Sequence, residues 1–333
     1  MIILGIDTSC DETAASVLEN GKILSNIVYS QSIHKEFGGV VPNLASKDHE
    51  KHIYNTIIKA VESASISLKQ IDAIAVTFSP GLISCLLVGL NFAKGLSIGL
   101  NVPLIPVNHL EGHLCSNLID NYKIDMPYLC LLVSGGHTQI WVVNSAEDYK
   151  ILSTTVDDAA GEAFDKGAKM LGLGYPGGPE IEKNAFNGDE NKYTFSIPKI
   201  KNNPVNFSFS GIKTSLYYKI KNMNQSEIEN EKKHLCASFQ EGILNILFDR
   251  LKMVIKENDI RNISIVGGVS CNKRFRLLSE KFSETYNVNL HFPENQFCTD
   301  NGAMIAMSAY LKNNINSTDN SNLKVVPVPN VKI

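Results

Sequence analysis

The first thirty residues constrain the fold more than any other stretch. From Ile2 the chain runs through a strand-like IILGID, a polar break TSCDE, a second strand-like run TAASVL, the pair Asn20-Gly21 and a third alternating run KILSNIVYS. Asn-Gly between β-type runs predicts a hairpin, because both central turn residues need positive φ. The pattern then restarts: MPYLCLLVSGGHTQIWVV reads as two strands joined at Gly135-Gly136. After the first start come helical spacing over 45–65, the β-rich IDAIAVTF and a nearly all-round apolar helix over 82–100, which implies burial between layers. After the second come a helix over 159–174, a long one over 235–258, the strand NISIVGGVS and a helix opening near Asn272. Two halves of this kind predict a duplicated α/β architecture with a cleft between lobes.

With 333 residues, 44% hydrophobic and 20% charged, the chain can bury a substantial core and is expected to form two domains. Lys+Arg 31 against Asp+Glu 34 gives a net charge of -3, which excludes a uniformly basic nucleic-acid binder but leaves room for a local basic patch. The seven cysteines (Cys10, Cys85, Cys115, Cys130, Cys236, Cys271, Cys298) are scattered without a CxxC pair, so neither a disulfide framework nor a cysteine zinc knot fits. A reducing, cytoplasmic location follows as the expectation. Met1 leads directly into an apolar strand with no basic or Arg-rich leader, and no long uncharged apolar span is read later, so no membrane contact is expected. The stretch NNINSTDNSN after Lys312 is poor in apolar residues and is expected to be mobile.

His109 and His113 in NHLEGHL stand four apart, so on a helix both rings project from one face about a turn apart, as metal ligands would. Two solvent-facing or capping histidines fit the same spacing. Glu111 lies two places on, rotated roughly 200° from His109, so the HExxH and HxxEH arrangements of metallopeptidases are absent. A third ligand is needed, and a carboxylate is the usual completion where positions must stay open for substrate. Asp300 in CTDNGAM is a candidate, although Asp before an apolar helix reads locally as an N-cap.

Three glycine turns follow strands: Ser134-Gly135-Gly136, Pro176-Gly177-Gly178-Pro179 and Gly267-Gly268 leading to Asn272. Together they favour a nucleotide held by backbone N–H groups, although neither GxxxxGK[ST] nor GxGxxG is present. Asp7, Asp11 and Glu12 crowd three carboxylates around one turn, which costs stability unless a cation or phosphate-bound metal is near; an exposed acidic turn is the alternative. Asp165, on the helix before the Pro-Gly-Gly-Pro turn, can receive a ribose or amine hydrogen bond or be a solvated helical residue. Residues 191–221 contain Lys192, Lys199, Lys201, Lys213, Lys219 and Lys221 with no Asp or Glu, interleaved with Tyr193, Phe195, Phe207, Phe209, Tyr217 and Tyr218. This suits phosphate contact and base stacking, or equally a lysine-studded face over core aromatics.

GIDTSCDET, NHLEGH, LLVSGGHT, AGEAFDKGAKMLGLGYPGGP, FSFSGIKT, VGGVSCN and FCTDNGAM, in this order from about Ile2 to Tyr310, resemble the bacterial and organellar tRNA threonylcarbamoyladenosine transferases of the actin-like ATPase superfamily. The resemblance implies a two-lobed, duplicated actin-like (ribonuclease H-like) α/β fold with an interlobe cleft. The lobes are expected at 1–110 and 111–312, with the last helix near 300–312 packing back on the first lobe and a polar tail over 313–333. It implies transfer of threonylcarbamoyl from its adenylate to the exocyclic amine of the adenosine beside the anticodon, in tRNAs reading codons that start with A. It places one divalent metal on His109, His113 and Asp300, in a site expected to span the lobes, with iron(II) preferred to zinc although histidine and carboxylate ligands suit both. Were Asp300 a helix cap, the third ligand would have to be sought among Asp11, Glu12 and His137. By the same implication the acyl-adenylate, or ATP or ADP in its place, lies along Leu132, Val133, Ser134, Gly135 and Gly136, with Asp165, Gly178, Glu182 and Asn272 on its nucleotide part. Asp11 and Glu12 are the candidates for a general base. Implied partners are tRNA, a separate adenylate synthase, an inactive paralogue and a small ATPase. Competing readings are an ATP-dependent kinase or ATPase, a non-catalytic scaffold, and a metallopeptidase, matching the family's old label of glycoprotein endopeptidase but not the HLEGH geometry.

Overall fold

Asn20 and Gly21 both have positive φ, 49° and 86°, and turn the second strand back against the third as the Asn-Gly pair predicts. The computed structural model describes residues 1–121, 124–201, 203–312 and 320–330. By internal packing the chain divides into two units, Met1–Ile124 with Pro293–Ile333, and Asp125–Phe292. The expected boundary at 110/111 falls inside a helix of the first unit, and the chain returns to that unit after residue 292.

The first unit contains β1 (Ile2–Asp7), β2 (Glu12–Glu19), β3 (Lys22–Ser30), α1 (Pro42–Ser63), β4 (Ala73–Ser79), α2 (Ile83–Leu100), β5 (Leu104–Asn108) and α3 (His109–Cys115). Its sheet has the order β3-β2-β1-β4-β5, with the first three strands antiparallel and β1, β4 and β5 parallel. α1 and α2 cover one face, where Ile53, Ile57, Leu90 and Ala93 meet Leu4, Ile6 and Val76. α2 is not buried all round. Cys85, Leu86, Gly89, Leu90, Ala93 and Ser97 face the packed layers, whereas Ile83, Leu87 and Ile98 are 45%, 42% and 66% exposed. Among the described residues α2 alone has the length and composition to suit a bilayer, with Lys94 its one charge.

The second unit repeats the plan with β6 (Tyr128–Val133), β7 (Thr138–Val143), β8 (Tyr149–Thr154), α4 (Ala160–Met170), α5 (Gly177–Asn184), α6 (Ser210–Ile220), α7 (Gln225–Asn258), β9 (Asn262–Val266), α8 (Lys273–Tyr286) and β10 (Asn289–His291). Its sheet order, β10-β9-β6-β7-β8, is the first order with every strand replaced by its counterpart. Phe164, Phe207, Phe209, Phe239 and Phe275, all buried, fill the core of this unit.

The chain then forms α9 (Asn295–Cys298) and α10 (Gly302–Leu311) in the first unit. α10 covers the sheet face opposite α1 and α2, where Ala303, Met304 and Ile305 join Ile3, Ala73 and Val107. This approach depends on two glycines. A Cβ on Gly5 would stand 2.2 Å from the Gly302 carbonyl oxygen, and one on Gly302 would stand 2.6 Å from the Ser16 nitrogen.

Residues 313–319 and 331–333 of the expected mobile tail lie outside the described residues. Residues 320–330 are docked. Leu323 and Val325 join the core, Lys94 Nζ donates to the Val325 carbonyl at 2.6 Å, and the Val328 N–H donates to the Phe78 carbonyl at 2.9 Å. The apolar LKVVPVP that follows the polar run supplies the surface that holds it.

Candidate metal centre

β5 ends at Asn108 and α3 begins at the next residue, so no loop intervenes between sheet and histidines. The Asn108 side chain caps the helix, accepting from the Leu110 N–H at 2.8 Å. Helical spacing then puts the rings of His109 and His113 edge to face, 4.8 Å between centroids. Both residues are buried.

Asp300 reaches the histidines from the opposite end of the chain. Its Oδ1 lies 3.1 Å from His113 Nε2 and 3.5 Å from His109 Nε2, and the three ligand atoms lie within 4.8 Å of one another. The local reading of Asp300 as a cap is corrected by its neighbour: Asn301 caps α10, accepting from the Met304 N–H at 2.9 Å. That leaves the Asp300 carboxylate for the histidines. All three residues belong to the first unit, so the expected site spanning the lobes is instead built within one.

Sequence reasoning placed Asp7 only among three crowded acids and passed over Ser9. Asp7 ends β1 and is fully buried; its Oδ2 accepts from Ser9 Oγ at 3.1 Å and its Oδ1 lies 3.4 Å from His109 Nδ1. Ser9 Oγ is 3.2 Å from the same ring nitrogen. Both His109 nitrogens therefore face carboxylates, Nε2 toward Asp300 and Nδ1 toward Asp7. Burial alone would lower the His109 pKa, but Asp300 and Asp7 outweigh it and hold it well above the ordinary histidine value. Burial would likewise raise Asp300, and His109 with His113 instead keeps it well below the usual carboxylate range. The donor set suits a divalent cation: two imidazole nitrogens converge on one carboxylate oxygen, and a second carboxylate backs one ring.

The turn carrying Asp11 and Glu12 is held by its carbonyls. The Ser9 carbonyl accepts from Leu82 N–H at 2.9 Å, Cys10 from His49 Nε2 at 3.0 Å, and Asp11 from Gln31 N–H at 3.1 Å. Burial, then Asp11 and Asp300, push the Glu12 carboxyl well above its ordinary value. Burial and the same acidic neighbours push the Cys10 thiol pKa well above its ordinary value.

The residues expected on the nucleotide lie in the second unit. Leu132 and Val133 end β6, and Ser134 opens the glycine turn, its Oγ accepting from the His137 N–H at 3.1 Å. Asp165 accepts from the Gly177 N–H at 2.6 Å, bracing the turn that leads to Gly178. Asn272 caps α8 through Phe275 N–H at 2.9 Å and donates to Gln240 Oε1 at 2.8 Å, while Glu182 accepts from the Lys273 N–H at 2.9 Å. Beside them opens a groove of about 820 Å³ lined by Glu182, Phe186, Gln240, Glu241, Arg274 and Leu277, among others. Arg274 bridges Glu190 and Glu241 at its wall. Gln240 and Arg274 carry no motif of their own, so sequence reasoning did not single them out.

Two five-stranded sheets of one topology define an actin-like ATPase fold. The crystal structure of HypF from T. kodakarensis matches with TM-score 0.63 at 14% identity, over 93% of this chain and 48% of that one. The activator of 2-hydroxyisocaproyl-CoA dehydratase from Clostridium difficile matches with TM-score 0.52 at 14% identity over the full length of both. Within that fold, the chain belongs to the tRNA N6-adenosine threonylcarbamoyltransferase family, whose model matches residues 22–307. It is 47% identical to the family's protein from Thermosipho africanus over 100% of both chains, and 44% identical to that from Phocaeicola vulgatus over 93% of this chain and 94% of the other.

Proposed function

We propose that this chain transfers the threonylcarbamoyl group from threonylcarbamoyl-adenylate to N6 of the adenosine beside the anticodon, in tRNAs reading codons that start with A. The observation that carries the reading is the convergence of His109, His113 and Asp300 in a chain of this family. The reaction needs no activation step, because a carboxyl–phosphate mixed anhydride already has AMP as its leaving group. The protein must orient two large substrates and stabilise the charge that develops on the attacked carbonyl. A divalent metal held by His109, His113 and Asp300, iron(II) in this reading, would supply Lewis acidity toward the donor's oxygens.

The chain's own groups carry the rest. The strand end and glycine turn formed by Leu132, Val133, Ser134, Gly135 and Gly136 are assigned to the acyl-adenylate, and Asp165, Gly178, Glu182 and Asn272 to its nucleotide part. Asp11 or Glu12 is assigned to take the proton that the amine loses; a carboxyl whose pKa is raised, as that of Glu12 is, is the stronger base once ionised. The donor is assigned to a separate synthase, and an inactive paralogue and a small ATPase to the assembly, in the cytoplasm.

The test is mass spectrometry of tRNA nucleosides after incubation of the chain with threonylcarbamoyl-adenylate and unmodified tRNA. The expected result is threonylcarbamoyladenosine with matching AMP release, lost in His109→Ala, His113→Ala and Asp300→Ala together with bound metal. ATP turnover without any modified nucleoside would replace this reading with an ATPase.

A further inference from the structure

The lysine-rich segment divides into two populations once folded. Phe207 and Phe209 are buried in the core, Lys192 is paired with Glu231 and Lys213 with Asp158, so these six side chains are spent on structure. Lys219 lies 5.3 Å from the Phe195 ring centroid and 5.7 Å from that of Tyr193, packing its stem on the segment's own aromatics. Lys199, Lys201 and Lys221 stay exposed and make no ion pair among the described residues. Tyr217 and Tyr218 at the end of α6 are 47% and 63% exposed, with ring centroids 5.5 Å apart and Lys221 Nζ 6.0 Å over Tyr218.

The backbone bearing Lys199 and Lys201 is shaped by an unusual device. Arg250 on α7 is buried, yet its guanidinium is used to tie down a loop: Nη2 donates to the Pro198 carbonyl and Nε to the Asn206 carbonyl at 2.8 Å. One side chain thereby grips both ends of the loop, and Asn206 Oδ1 adds an acceptor for the Thr154 N–H at 3.1 Å. Burying a guanidinium is costly unless it is fully satisfied. Here it is satisfied by the Asp249 carboxylate at Nη1 and by the carbonyls of a loop that presents Lys199 and Lys201 to solvent and anchors Val205 in the core.

We propose that the clasped lysines Lys199 and Lys201, with the exposed Tyr217, Tyr218 and Lys221 at the end of α6, form a contact surface for the phosphate backbone and an unpaired base of tRNA. The proposal rests on the transferase reading, which supplies the polynucleotide; charge complementarity supplies the rest. Three exposed lysines without acidic partners neutralise phosphates at little desolvation cost, and a solvent-facing tyrosine offers a stacking platform to any base. The clasp lowers the ordering that the loop must undergo on binding.

The test measures affinity of the full chain for unmodified tRNA across a salt series. Lys199→Glu with Lys201→Glu is expected to weaken binding at least tenfold and to flatten the slope of log affinity against log salt by about 1.4 to 1.8, two counterion-releasing contacts. Tyr218→Ala is expected to weaken binding by roughly 5- to 100-fold with the slope unchanged, because stacking releases no counterion. All these positions are exposed, and thermal melting of each variant confirms that it is folded. A double variant with wild-type affinity and slope overturns the proposal and hands the surface to an acidic protein partner. A wild-type chain without salt-dependent tRNA binding overturns it as well. The nucleoside assay tests the transferase reading independently, so a chain that modifies tRNA while its reversal variant binds it unchanged sinks the surface alone.

Discussion

Asp7 Oδ1 stands 3.4 Å from His109 Nδ1, on the side of the ring away from Asp300. The two residues are 102 positions apart and meet because Asp7 ends β1 while His109 follows β5, two strands away across the parallel part of one sheet. A carboxylate behind a ligating imidazole fixes the tautomer and raises the donor strength of the opposite nitrogen. Asp7→Asn keeps the shape and removes the charge. The expected outcome is a 10- to 100-fold loss of metal affinity in a variant that stays folded, read by competition with a chelator. Wild-type affinity in a folded variant would leave Asp7 a structural acid only.

Protonation and metal compete for His109. In the metal-free chain the imidazolium is stabilised by Asp300 and Asp7, a contribution fully present below the ordinary histidine value and lost as pH rises through the raised one. Metal needs the neutral ring, so its affinity runs the other way. It should climb with pH by up to about tenfold per unit until the raised value is passed, then level off. Metal titrations over about pH 6 to 9 check this; a flat profile would mean that His109 is not a ligand.

His49 offers a second pH dependence, away from the metal. Cys10 O can only accept, so His49 Nε2 carries the proton and Thr13 Oγ1, 2.7 Å from Nδ1, donates. Burial lowers the His49 pKa against the pull of the Cys10 carbonyl and of Asp7, Asp11 and Asp48. Its contribution is therefore full above the ordinary value of 6.5 and lost as pH falls through the depressed one. His49→Phe should cost about 1–3 kcal/mol at neutral pH by stranding the Cys10 carbonyl, and should flatten the acid side of the melting profile. Parallel profiles for wild type and variant would count against it.

Gly302 ties the metal ligand to the core, two residues beyond Asp300. With the Ser16 nitrogen 2.6 Å from an added Cβ, Gly302→Ala must lift α10 from the sheet, at a cost of about 1–3 kcal/mol or more. Asp300 should move with it, so metal content is expected to fall as well. Gly95→Ala, in α2 with open space around it, is the control and should gain about 0.5–1 kcal/mol. Equal melting temperatures for the two variants would show that the close approach does not matter.

The hairpins, the helices around them and the paired histidines were legible because each depends on neighbours in the chain. Asn20-Gly21 needs only its own two φ angles, and HLEGH needs only 3.6 residues per turn to put two rings on one face. The duplicated topology was legible for the same reason, since each half announces itself with local turns. Asp300 was not, because Asp and Asn at adjacent positions serve equally well as helix caps; packing chose Asn301 for the cap and left Asp300 to the histidines. Asp7 was noticed only as one of three crowded acids. The aromatics of 191–221 likewise share one composition, yet Phe207 and Phe209 are core while Tyr217 and Tyr218 face water. Local rules reach as far as hydrogen bonds a few residues long, whereas the metal centre assembles residues 7, 109, 113 and 300, and only the burial of apolar faces across a sheet brings such distant positions within ligand distance.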